Sequence, residues 1–171
     1  MSTSEKHSRT ATVTTPAERE IRIERTFDAP RERVWQAMTD PKLLAQWWGR
    51  GNRTVVECLE LRRGGRWRFV EHAPSGPQGF KGRFREVTPP ERIVQTFEWD
   101  GMPGHVVVNT MTLQDVGDGR TRVVTVSQFH SSEERDGMLK SGMEEGLSQS
   151  YAALDKLFAR GRNLDKKSDP R

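Results

Sequence analysis

Residues 131–160, SSEERDGMLKSGMEEGLSQSYAALDKLFAR, decide how the rest of the chain must be arranged. Leu139, Met143, Leu147, Tyr151, Leu154 and Phe158 recur at steps of three and four, which is one stripe of an α-helix. Ser131 stands three residues before Glu134, the spacing of a capping box. One long helix is therefore predicted from there to Arg160. Gly142 and Gly146 fall on its apolar face, and each costs about 1 kcal/mol against alanine in a helix interior. Glycines in that position leave room for a close neighbour, either a sheet or a ligand.

The sequence before this helix is mostly strand and turn. Residues 20–27 alternate in polarity, with Ile21, Ile23 and Arg25 on one parity. Asp28-Ala29-Pro30 and Asp40-Pro41 each open a short helix, proline suiting a first turn whose N–H is unpaired anyway. The second of these helices carries Leu43, Leu44, Trp47 and Trp48 at four-residue spacings and stops at Gly49 and Gly51. Further strands are predicted at 54–61, 66–69, 80–87, 93–99, 106–113 and 122–129. In Arg66-Trp67-Arg68-Phe69 both aromatics face one way and both arginines the other. Short loops between successive strands favour antiparallel neighbours. The predicted fold is α+β: a curved seven-stranded antiparallel sheet with the long helix across its concave side and two short helices plugging one end.

Composition sets further bounds. The chain has 171 residues, enough for one domain with a real core, and a hydrophobic fraction of 33%. Two polar segments account for part of that low value: residues 1–19 are expected to be a disordered tail and 161–171 a basic tail, around a domain at 20–160. The net charge is +4, yet residues 20–159 carry twenty basic and twenty acidic side chains. A folded part without excess positive charge argues against a nucleic-acid partner. A single cysteine, Cys58, excludes an intrachain disulfide. No apolar run reaches the roughly 20 residues of a membrane-spanning helix, and no secretion signal is present, so no membrane insertion and a cytoplasmic location are expected.

Several motifs, taken in order, resemble one superfamily. Phe27-x-Ala29-Pro30, Val34-Trp35-x-Ala37 and Pro41-x-x-Leu44-x-x-Trp47-Trp48 are followed by Gly64-Gly65-Arg66-Trp67. After these come residues 82–93, GRFREVTPPERI, and Gly142-Met143-x-x-Gly146. Together they resemble the START-like, or SRPBCC, superfamily, in the branch named after the activator of the heat-shock-protein-90 ATPase. The resemblance covers about residues 20–160 and implies the helix-grip fold already reached from the element order. It also implies a small apolar ligand between the long helix and the sheet: a lipid, a sterol-like compound or a polyketide. Some members are aromatases or cyclases, and the eukaryotic namesake is a chaperone partner. Nothing here resembles the namesake's N-terminal portion.

The candidate lining of such a cavity is Trp47, Trp48, Trp67, Phe69, Phe80, Phe84, Gln95, Phe97, Trp99, Met111, Met138, Leu139, Gly142 and Met143. Aromatics make rigid walls and methionine adapts to irregular shapes. The same residues could instead fill a solid core. Glu71, Glu86, Gln95 and His105 are the only plausible actors for acid–base chemistry, since a carboxylate inside an apolar cavity tends to gain a proton. His72, His105 and His130 lack metal-ligand spacing, and Cys58 has no histidine near it in sequence. No nucleophile motif or phosphate-binding loop is present. No catalytic residue, metal or cofactor is therefore expected. The leading expectation is a non-catalytic carrier of a small hydrophobic molecule, monomeric or homodimeric. A polyketide cyclase or aromatase, and a chaperone-interacting module, are the rivals.

Overall fold

The computed structural model describes residues 11–167. A single antiparallel sheet dominates it, eight strands in the order β1-β2-β8-β7-β6-β5-β4-β3. The strands are β1 (Thr12–Thr14), β2 (Glu20–Phe27), β3 (Arg53–Leu59), β4 (Arg66–Ala73), β5 (Gly76–Thr88), β6 (Arg92–Trp99), β7 (Val107–Gly117) and β8 (Arg120–Gln128). Among the described residues four helices accompany them: α1 (Arg31–Thr39), α2 (Pro41–Trp47), α3 (Ser132–Lys140) and α4 (Met143–Lys167). This is the helix-grip arrangement, with one strand more than predicted.

The extra strand is β1, which pairs with β2 through Thr12↔Glu24, Val13↔Ile23 and Thr14↔Arg22. It lies inside the segment expected to be a disordered tail. Three residues between polar neighbours give no alternation to read, but the free edge of β2 accepts them. Residues 1–10 and 168–171 of the expected tails lie outside the described residues. At the other end α4 continues past Arg160 to Lys167.

The predicted single long helix is two. Ser131 caps α3 by accepting from the Glu134 N–H at 3.1 Å, as the spacing implied. The helix then ends at Ser141, and Gly142 follows with φ +83°. Only glycine enters this left-handed region cheaply, other residues losing about 1–2 kcal/mol. Gly142 is thus a helix stop, and a Cβ built there would meet nothing within 4 Å.

α1 and α2 close one end of the sheet. Asp40 caps α2 through the N–H groups of Lys42 and Leu43, 2.8 and 3.4 Å away. α1 rests on β7 and β8, and α2 on β3 and α4. Beneath the C-terminal part of α4 the interior is solid. Phe27 meets Tyr151 and Phe158 edge-on, with ring centroids 5.1 and 5.9 Å apart. Val34, Leu113, Val123, Leu154 and Ile93 complete this core. Arg25 lies among them on the concave side of β2, its guanidinium 4.4 Å from the Phe27 ring. Nη1 and Nη2 of Arg25 both donate to the Asp155 carboxylate, at 2.7 and 2.6 Å, and so fasten α4 to the sheet.

Candidate functional site

Strand register places the inward side chains in rows. One row runs Phe69↔Phe80↔Trp99 across β4, β5 and β6. A second runs Phe84↔Gln95↔Asn109↔Ser127↔Ile21. A third runs Ile93↔Met111↔Thr125↔Ile23. Toward β4–β7 this concave surface is not sealed. Phe80, Gln95, Phe97, Asn109, Met111, Thr125 and Ser127 point to the helix side yet remain partly exposed. Across from them Met138, Leu139, Met143 and Leu147 are also only partly buried, and α3 has no buried residue at all. Together these residues leave a partly exposed, largely apolar surface beside the α3–α4 junction, a candidate cleft.

Its aromatic wall is continuous. Trp48 lies 5.3 Å from Phe69 and 5.2 Å from Phe80, Phe80 lies 5.4 Å from Phe97, and Trp67 contacts Phe69 and Phe97 at 4.9 and 5.8 Å. Polar groups interrupt it along one line. Ser127 Oγ donates to Asn109 Oδ1 at 2.7 Å, while the neighbouring Gln95 amide has no hydrogen-bond partner among the described residues.

The sequence-predicted lining therefore divides. Trp48, Phe80, Gln95, Phe97, Met111, Met138, Leu139 and Met143 border the open cleft. Trp67, Phe69 and Phe84 are buried beneath it. The Trp67 indole reaches across β5 above Gly82 and donates to the Thr96 carbonyl at 3.1 Å; a Cβ on Gly82 would stand 2.6 Å from that nitrogen. Trp99 is exposed at the rim, where its indole donates to Gln78. Two residues do not belong to the cleft. Trp47 is buried in the angle of α1 and α2, with its indole donating to the Ala37 carbonyl at 2.8 Å. Gly142 sits exposed in the turn for its backbone conformation alone.

Gly146 does make room, but for neither a sheet nor a ligand. A Cβ there would lie 2.4 Å from Cδ of Arg50. Arg50 itself has φ +56°, its N–H donates to Ser150 Oγ at 3.1 Å, and its Nε and Nη2 donate to the Glu71 carboxylate at 3.0 and 2.7 Å. The Glu71 side chain is 1% exposed and that of Arg50 49%. Hydrogen bonding to Glu71 raises the Arg50 pKa above its ordinary value and keeps the guanidinium charged. Both Glu71 oxygens are thus engaged by Arg50. Glu86 faces the convex side and pairs with Arg92 at 3.2 Å. His105 contacts Glu134 at the rim, joining the β6–β7 loop to α3. Arg50, Asn109 and Ser127 escaped the sequence reading. Arg50 looked like part of a helix stop between two glycines, whereas Asn109 and Ser127 had the same inward parity as Met111 and Thr125.

Under the C-terminal part of α4 the side chains pack closely, and toward β4–β7 they stay partly exposed. Two depressions lie elsewhere. One of about 390 Å³ is lined by α1, α2 and the end of α4, including Arg33, Gln36, Leu43 and Leu157. The other, about 480 Å³, lies on the convex face among Arg66, Arg68, Lys81 and Arg83. No cluster of three metal-ligating side chains occurs among the described residues.

A helix-grip sheet with its C-terminal helices across a partly open concave face defines a protein of the START-like class. Within that class the chain belongs to the family described as activator of Hsp90 ATPase homolog 1-like protein, whose model matches residues 28–159. Solved structures agree. A Rhodobacter sphaeroides protein is similar at 27% identity, with 88% of this chain and 98% of that chain covered and a TM-score of 0.80. An Arthrobacter aurescens protein is similar at 26% identity, covering 87% and 91%, with a TM-score of 0.78. One from Mycobacterium smegmatis is similar at 26% identity, covering 85% and 96%, with a TM-score of 0.74. No curated protein matches the chain. Among the described residues no helix is long and apolar enough to cross a membrane.

Proposed function

We propose that the half-open cleft binds a small hydrophobic molecule with some polar character, of lipid, sterol or polyketide type, without chemical conversion. The observation that carries this reading is the exposure of inward-facing side chains. Trp48, Phe80, Phe97, Met111 and Met143 leave apolar surface accessible on the one face of the sheet that a helix would normally seal. The Gln95 amide supplies an unpaired donor and acceptor midway along the cleft.

The catalytic alternative has lost two of its four actors, since Glu71 is held by Arg50 and Glu86 faces outward. Binding is tested by native mass spectrometry of the intact protein incubated with lipid, sterol and aromatic polyketide probes. One-to-one complexes are expected for at least one class, weakened when Met111→Trp fills the cleft. An absence of complexes with every class would contradict the reading.

A further inference from the structure

We infer that Arg50 is the head-group site of this cleft and selects ligands ending in a carboxylate or a similar oxyanion. The inference rests on the binding reading above and narrows it to a ligand class. A guanidinium has two bidentate edges. Glu71 occupies the edge formed by Nε and Nη2. The fork formed by Nη1 and the second Nη2 hydrogen has no partner among the described residues, and the side chain is 49% exposed. A planar fork of this kind matches a carboxylate or phosphate oxygen pair.

The fork is also held in place. The buried Glu71 carboxylate fixes its plane, Gly146 gives its methylenes a slot against α4, and Ser150 anchors its backbone. A non-glycine residue at φ +56° is a conformation that costs energy and that the surrounding contacts must impose. Position completes the case. Arg50 follows Trp48 by two residues, and Glu71 follows Phe69 by two on the concave side of β4. Trp48 and Phe69 are in ring contact at the aromatic wall. An amphipathic acid can therefore lay its apolar body on that wall and its head on the fork.

The test compares matched probes on the full chain: dodecanoate against dodecanol, and naphthylacetate against naphthylethanol, by calorimetry at neutral pH. The acids are expected to bind about tenfold tighter than the alcohols. Arg50→Lys keeps the charge but lacks the fork, so it should erase most of that preference. Because Arg50→Lys could loosen the site around Glu71, the double variant Arg50→Met/Glu71→Gln, which leaves no buried charge, serves as the second arm and should likewise bind acid and alcohol equally. Equal binding of acids and alcohols by the unaltered protein overturns the head-group assignment and leaves the cleft reading standing. An acid preference that persists in both variants also overturns it. Failure of all four probes to bind overturns both.

Discussion

The two arginine–carboxylate pairs of the concave face are built in opposite senses. At the closed end Arg25 is the buried partner, its side chain 4% exposed against 42% for Asp155, and it spends both terminal nitrogens on that carboxylate. At the open end Glu71 is the buried partner, 1% exposed against 49% for Arg50, and it engages only the guanidinium's side edge. The first pair locks helix to sheet over an aromatic stack. The second presents a charged group at the mouth of an apolar cleft. The member that faces water thus differs: a carboxylate at the closed end, and at the open end the guanidinium proposed above as a recognition group.

Substitutions should separate the two ends. The largest effect is expected from Phe158→Ala, which removes a buried ring facing Phe27: a loss of about 3–5 kcal/mol in urea unfolding, with probe affinity retained by the fraction that stays folded. Its counterpart Phe97→Ala, in the cleft wall, should cost only about 1–2 kcal/mol but weaken probe binding markedly. Equal stability losses at the two positions would erase the distinction.

Asp155→Ala comes next. It removes the carboxylate that accepts from both terminal nitrogens of the buried Arg25 and should cost about 3 kcal/mol, again without altering the acid-to-alcohol preference.

Alkaline unfolding sharpens the same contrast. Burial pushes the Tyr151 hydroxyl up to about 12, from 10.0. A raised pKa means that the full contribution is present below pH 10 and is lost as pH climbs from there toward 12. The loss approaches about 1.4 kcal/mol per pH unit across that window. Tyr151→Phe should flatten this part of the stability profile.

The smallest expected effect concerns Gly146. Alanine there gains about 1 kcal/mol of helix propensity but collides with Arg50, so a net loss of about 1 kcal/mol is expected. In an Arg50→Gly background the same change should turn stabilising. An additive double-mutant cycle would show that the glycine has no part in seating the arginine.

Much of the architecture was legible because alternation and helical stripes are local. The strand order follows from short loops, and Ser131 and Asp40 cap the helices they precede. Gly142 was misread because a glycine spared for its backbone angle and a glycine spared for space look identical in sequence. Trp47 and Trp48 were equally ambiguous. Trp47 ends α2 while Trp48 is its extended C-cap, and only packing against α1 shows that Trp47 turns into the core. The shared inward parity of the aromatics on β4, β5 and β6 was legible. The polar features beside them were not, since Arg50 is joined to Glu71 across twenty-one positions and Gly146 across ninety-six, separations at which periodicity carries no information.

The most direct test follows the tryptophan indole N–H resonances during titration with dodecanoate. Trp48 stands against Phe69 and Phe80, and its indole has no hydrogen-bond partner among the described residues. Trp47 and Trp67 donate to the backbone carbonyls of Ala37 and Thr96. The Trp48 resonance should move most, Trp99 at the rim less, and Trp47 little. A saturable response led by Trp47, or no response from Trp48, would contradict a binding cleft at the open end.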